Sequence, residues 1–203
     1  MKPKFLFGLA PLLAVAAFVV APAAAQAEVC FQNTEGGPCI TESEGLVATS
    51  TSSTLTAPAG SVTCTKVSLE GKAGLKGKST ITKSKWEGCT TTVPGCTVTV
   101  TQLSNLTDQL GGSKAAGFTD TITIPGPTPE EISIQFAGSS CPLKEAGDIP
   151  VFGSVTGKWA NDNPSTLTFT KATGLHFGEE EATLTGTFSV TRANGKNIFV
   201  SEH

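Results

Sequence analysis

The chain has 203 residues, of which only 15% are charged, and a formal net charge of −3. Removing the first 27 residues as a signal peptide takes Lys2 and Lys4 with it and moves the side-chain charge to −5. That balance speaks against a phosphate-seeking surface and so against nucleic acid as a partner. The roughly 176 residues that remain are enough for one ordinary hydrophobic core, which at that size buries about 70% of the unfolded surface.

Lys2 and Lys4 precede an apolar run from Phe5 to Val20, and small residues lead from it to Ala25-Gln26-Ala27. A charged start, an apolar stretch and an A-x-A site make a secretory signal peptide, with cleavage expected before Glu28. The run is broken by Gly8 and Pro11 and falls short of the roughly 20 residues that a membrane span needs. Glu28 and Val29 sit where a lipid-attachment motif before Cys30 would need small residues. No membrane span is expected after cleavage, and the mature protein is expected to be secreted or associated with the cell envelope. All six cysteines (Cys30, Cys39, Cys64, Cys89, Cys96 and Cys141) follow the expected cut, and an even number in an exported chain reads as three disulfides. A zinc site is not expected, because C-x-x-C is absent and His176 and His203 are the only histidines.

After the cut, Gly36-Gly37-Pro38 between Cys30 and Cys39 predicts a small loop closed by those two residues. Ala48 to Thr56 is almost all Thr and Ser, a loose strand or linker. From Ser61 the pattern has period two: Val98 and Val100, Ile122 and Ile124, Ile132, Ile134 and Phe136, Val151, Val155 and Trp159, Leu167 and Phe169, then Leu184, Phe188 and Val190. This predicts strands with one buried and one wetted face. Many of the threonines fall on the wetted side, where a β-branched side chain suits the pleat and its hydroxyl meets water. A helical turn or two is expected only within Ser104 to Ala116, ended by Gly111-Gly112. Pro125-Gly126-Pro127-Thr128-Pro129 predicts a connection between strands. Asn194-Gly195 predicts a type I′ hairpin that would set Val190 opposite Phe199.

Sliding the chain against itself by 86 residues aligns Ser68 to Thr101 with Ser154 to Thr187, with 11 identities in 34 positions. Both segments read as strand, Gly-containing turn, strand, tight connection, strand, which suggests a duplicated three-strand unit. Cys89 and Cys96 align with Leu175 and Ala182, the two ends of the second connection. The favoured pairing is therefore Cys89 with Cys96, Cys30 with Cys39 and, by elimination, Cys64 with Cys141. The rival set joins Cys64 to Cys89 and Cys96 to Cys141.

Candidate sites are sparse. His176 with Glu179, Glu180 and Glu181 is the only crowding of imidazole and carboxylates, but the alignment puts it at a hairpin tip, where a charge run is ordinarily solvated. No G-x-S-x-G motif supports a serine hydrolase. Acids suited to glycoside cleavage are not visible on strand interiors, since they cluster in loops such as Glu130-Glu131. Trp159, with the following Asn161 and Asp162, is the candidate carbohydrate contact, although Trp159 keeps phase with Val151 and Val155 as a core residue would. Trp86, out of phase with Ile81, reads as a rim residue. Lys66, Lys72, Lys76, Lys78, Lys83 and Lys85 gather in one hairpin and would either protect a sheet edge or touch an anionic wall polymer.

Val62-Thr63-Cys64, Trp86-Glu87-Gly88-Cys89 with Pro94-Gly95-Cys96, and Ala182-Thr183-Leu184-Thr185-Gly186-Thr187-Phe188 resemble a broad group of exported, disulfide-containing β-rich proteins of actinobacteria with no assigned activity. The likeness covers about residues 60 to 192. It implies an extracellular, disulfide-stapled β-sandwich or barrel and transfers no site residue. The sequence thus predicts an all-β protein of about nine strands, an antiparallel β-sandwich with a β-barrel as the alternative. Residues 1–27 are the signal peptide, 28–60 a disulfide-closed arm with the Thr/Ser-rich segment, and 61–203 the sandwich domain. The expected function is a non-enzymatic secreted or envelope module that binds a surface polymer or another protein, without a cofactor. The alternative is an extracellular hydrolase, acting on carbohydrate, whose residues converge only in the fold. A deep cleft with inward-facing carboxylates or with His176 buried in it would favour the enzyme, and a flat exposed face or an unpaired sheet edge the binder.

Overall fold

The computed structural model describes residues 27–102, 105–126 and 132–203. The expected signal peptide, Ala27 apart, lies outside the described residues, as do Pro127 to Pro129 of the proline run and Glu130-Glu131. Among the described residues there are thirteen strands, two short 3₁₀ turns and no α-helix. The strands are β1 (Val29–Gln32), β2 (Glu44–Ser50), β3 (Ser53–Ala57), β4 (Gly60–Ala73), β5 (Lys78–Thr91), β6 (Thr97–Gln102), β7 (Leu106–Ser113), β8 (Gly117–Ile124), β9 (Ile132–Ala137), β10 (Asp148–Ala160), β11 (Ser165–Phe177), β12 (Glu180–Arg192) and β13 (Phe199–Glu202).

Eleven strands form one antiparallel sheet in the order β11-β12-β2-β4-β5-β7-β8-β10-β9-β6, with β3 continuing β2 between β12 and β4. The sheet folds over so that its inner faces pack on each other. Alternate residues supply the core: Leu167 and Phe169 from β11, Phe188 and Val190 from β12, Val155 and Trp159 from β10, Ile122 and Ile124 from β8. The first strand of that order, β11, also pairs with β10, two places inside the other end, at 151–153 with 175–177 and again at 158–160 with 166–168, with a break in register between Gly153 and Lys158. The result is sandwich-like and not a continuous closed barrel. Residues 28–60 are built into this body, since β2 and β3 fill a place in the main sheet and β1 pairs with β13 at one end.

The segment read as a turn of helix is strand β7. Leu106 and Leu110, four residues apart, share one side of a helix and also one side of a strand, so their spacing does not discriminate. Pairing decides for the strand, because β7 lies between β5 and β8. Gly112, at φ +84°, bends the chain toward β8. A Cβ there would stand 2.2 Å from the Gly117 carbonyl oxygen, so no larger residue fits without displacing backbone.

The repeat is realised in its first two strands. β4 with β5 and β10 with β11 are long hairpins, and Leu175 stands opposite Ala182 in the β11–β12 pair. The third strands part company: β12 pairs with β11, whereas β6 leaves β5 and pairs with β9. The favoured cysteine pairing fails for that reason. Cys89 and Cys96 do not face each other across a hairpin. Instead Cys64 lies opposite Cys89 in the β4–β5 register, with Cα atoms 3.9 Å apart, and these two are joined. Cys96, at the start of β6, bonds Cys141 just beyond β9, where Gly138 allows the Gly95 carbonyl to come within 2.2 Å of where a Cβ would lie. Cys30–Cys39 forms as expected.

A turn forms at Asn194-Gly195 but not as type I′, because Gly195 has φ +78° while Asn194 keeps a negative φ; the Gly195 N–H donates to the Arg192 carbonyl and the Arg192 N–H to that of Lys196, so the turn centres on Ala193-Asn194 and the glycine follows it. The hairpin does not extend to Val190 and Phe199. Both edges of β12 are occupied, Val190 pairing with Ser165 and Ala48, so β13 crosses to β1 and sets Phe199 opposite Gln32. This two-stranded cap buries Phe31, Ile198 and Val200 almost completely.

In the chain-entropy picture, crosslinks across 45 and 9 residues stabilise by about 4 and about 2.5 kcal/mol. Non-reducing peptide mapping should recover Cys64–Cys89 and Cys96–Cys141. Chemical denaturation should rank Cys96→Ala/Cys141→Ala as more damaging than Cys30→Ala/Cys39→Ala. Recovery of a Cys89–Cys96 peptide would overturn the connection described above.

Candidate binding cavity and its carboxyl pair

Strand alternation turns Ser79 and Ile81 of β5, Leu106, Asp108 and Leu110 of β7, and Asp120, Ile122 and Ile124 of β8 toward the interior. Register then brings the polar members together. Ser79 stands opposite Asp108, Asp108 opposite Ile122, and Asp120 opposite Leu110, so the two carboxyls are diagonal neighbours on one face. Asp120 is 3% exposed and Ser79 6%. Asp108 Oδ1, Asp120 Oδ1 and Ser79 Oγ are buried without a hydrogen-bond partner.

These groups line a cavity of about 130 Å³ between the packed faces. The rest of its lining is largely aliphatic and aromatic, including Leu106, Ile122, Ile134, Val155, Phe169 and Phe188, and both indoles, Trp86 and Trp159, border it. Gln102 enters from β6 and donates from Nε2 to the Ile81 carbonyl at 3.3 Å. No Lys, Arg or His belongs to the described lining, and Glu70 is its only other titratable group.

Burial in this setting penalises a charged carboxylate. It pushes Asp108 up to about 7, against the opposing pull of a hydrogen bond from the Ser79 backbone. Asp120 is held well above the usual carboxylate range, first by burial and then by the charge of Asp108, with the Thr121 backbone working the other way. On the surface the reverse holds. Glu87 is lowered by hydrogen bonds from Lys85 and Lys66, at 2.8 and 3.3 Å.

Of the carbohydrate candidates only Trp159 borders the cavity, and all three are engaged internally. Trp159 is buried edge-on to Phe31, with ring centroids 5.9 Å apart, and donates from Nε1 to Asn161 Oδ1 at 3.0 Å. Asn161 Oδ1 also accepts the Val200 N–H at 2.8 Å, while its Nδ2 donates to the Val200 carbonyl at 2.7 Å. That amide stands in for a neighbouring strand. Asp162 accepts from the Thr166 hydroxyl at 2.9 Å, and its carbonyl accepts from Asn197 Nδ2 at 2.6 Å. Together these residues fasten the chain's last strand to the body.

His176 stacks on Phe152 at 5.0 Å, and Glu180 accepts the Ala59 N–H, so the acids at that hairpin do not gather around the imidazole. Among the described residues the only convergence of metal-ligand atoms is Cys30, Cys39 and His203, and both sulfurs there are committed to a disulfide. Trp86, expected at the rim, is half-buried opposite Val67, with its Nε1 donating to Ser84 Oγ at 2.7 Å.

Asp108, Asp120 and Ser79 were not among the residues singled out from sequence. The signal was present in phase alone: Asp120 continues the Ile122, Ile124 alternation by one step, and Asp108 sits midway between Leu106 and Leu110. An acid in phase with core residues of a strand is the pattern to look for. No family model matches the chain, and no curated protein or solved structure matches it.

A carboxyl whose pKa is raised on folding binds more protons in the native state, so its contribution is fully present below about pH 4 and is lost as pH rises toward and past about 7. Asp120→Asn should therefore raise stability relative to the parent at pH 8, by roughly 1–3 kcal/mol, and by much less at pH 4. Thermal unfolding of both proteins across this range reads the difference. A gap that does not change with pH would refute the buried-acid account.

Proposed function

We propose that this protein is a secreted or cell-envelope, non-enzymatic binding module that holds a small apolar molecule in the cavity between its packed faces. The observation that carries the reading is the cavity itself. Protein interiors are packed to the density of organic crystals, and a void of about 130 Å³ forgoes contacts that a guest restores. Apolar voids of about 150 Å³ stay dry and take up benzene or xenon. Three disulfides are consistent with an oxidising, extracellular setting. The resemblance to exported actinobacterial proteins supports the same compartment.

The hydrolase alternative draws on the inward-facing carboxyls. Asp120, however, is almost fully covered, and the cavity is well below the roughly 300–1,000 Å³ of pockets that accept drug-sized ligands. A glycan chain does not fit there. The lysine hairpin is a weak polymer site, since Lys66, Lys76, Lys83 and Lys85 each have an acidic partner within 4.0 Å. Three carboxylates, Glu28, Glu70 and Glu87, offset half of the charge of the six lysines there.

Toluene should raise the melting temperature in a concentration-dependent way. It should also change tryptophan emission, which comes from Trp86 and Trp159 alone because Tyr is absent. Filling the space with Val155→Phe should remove both responses. Neither response to saturating toluene in the parent protein would reject the binding role, and release of reducing sugars from wall polysaccharide would favour the hydrolase.

A further inference from the structure

The polar wall of the cavity has a composition that its apolar remainder does not explain. Two carboxyls and a hydroxyl, drawn from the three adjacent strands β5, β7 and β8, present buried oxygen atoms without partners in the lining of the cavity. No basic side chain of the described lining faces them. The ion pairs of the described residues join lysines to glutamates, with none reaching Asp108 or Asp120. A buried carboxylate without a counterion is costly, and structures ordinarily supply a partner for each of its oxygen atoms. Backbone groups of Ser79 and Thr121 hydrogen-bond the two carboxyls, but Asp108 Oδ1, Asp120 Oδ1 and Ser79 Oγ keep no partner and no cation of the described lining stands against them.

We propose that the cavity takes a small apolar primary amine, its ammonium group seated among Asp108, Asp120 and the Ser79 hydroxyl and its hydrocarbon part against Leu106, Ile122 and Val155. The inference rests on the cavity-binding reading and deepens it by naming the ligand class. An ammonium offers three N–H donors around one atom, and Asp108 Oδ1, Asp120 Oδ1 and Ser79 Oγ are three buried oxygens without partners. An alcohol offers a single donor and no charge. A carboxylate ligand would be repelled. A calcium ion wants six to eight oxygen ligands, more than Asp108, Asp120 and Ser79 provide. A cavity of about 130 Å³ is close in size to voids that take up benzene.

Charge balances on binding. When the ammonium form enters and both acids are protonated, one carboxyl gives up its proton to solvent and the resulting ion pair is neutral. Removed from water, that pair attracts far more strongly than the same pair at the surface.

The test uses the mature, oxidised chain and four ligands of similar size: benzylamine, benzyl alcohol, toluene and benzoate. Affinities come from calorimetry and tryptophan emission, with the calorimetry repeated in buffers of different ionisation enthalpy to count protons released. Benzylamine should bind at least tenfold more tightly than toluene or benzyl alcohol, and benzoate more weakly than either. Asp108→Asn and Asp120→Asn should collapse the preference for the amine over toluene toward unity, with folding checked by circular dichroism. Should those variants not fold, the comparison of amine with alcohol in the parent chain still decides. Toluene binding without any preference for the amine overturns the ligand class and leaves the cavity reading standing. Binding of none of the four overturns both, and calcium binding lost in the Asp120→Asn variant assigns the oxygens to a metal instead.

Discussion

Burial of every second side chain between the inner faces of one folded-over sheet is the constraint from which the remaining features follow. Each strand of the main sheet contributes inward residues such as Val67, Val155, Phe169 and Phe188, and each removes apolar area from water only because another part of the same sheet covers it. A one-residue slip in register would turn a whole strand's core set outward. The crosslinks act at points where such a slip would matter. Cys64–Cys89 locks the β4–β5 register, and Cys96–Cys141 ties the start of β6 to the turn after β9.

The same constraint creates the cavity and gives it its chemistry. Alternation does not distinguish a leucine from an aspartate, so Asp108 and Asp120 are carried inside by the phase of their strands, and Ser79 arrives beside them because β5 pairs with β7 over residues 78–81. Burial then keeps the acids protonated far above the usual carboxylate range. Their position is costly for a scaffold and useful for a binding site, which is why they outweigh the exposed His176 hairpin or the lysine hairpin as candidates. Trp159, Asn161 and Asp162 serve stability instead, joining the β1–β13 cap to the body through side-chain amides where no strand is available to pair.

Much of the architecture was legible in period-two runs and turn chemistry: the all-β class, the core phase of Val151, Val155 and Trp159, the Leu175–Ala182 hairpin end, the Cys30–Cys39 loop and the turn at Asn194-Gly195. What was missed shares one cause. The partner of a strand is a long-range choice, and nothing local in Thr97 to Gln102 says that it pairs with β9 and not β5, or in Phe199 to Glu202 that it pairs with β1 and not β12. The disulfide assignment and the Val190–Phe199 expectation both extended a local hairpin rule across that choice.

Composition, signal-like start, cysteine parity and alternation therefore determined on their own that this is a β-rich, disulfide-bearing chain, because these depend on each residue's own chemistry and its neighbours in sequence. Tertiary structure alone decided which cysteines meet, which strand closes the end, and that two acids from different strands share one apolar chamber. Those outcomes depend on register between segments far apart in the chain, where the competing pairings differ by packing and not by local preference.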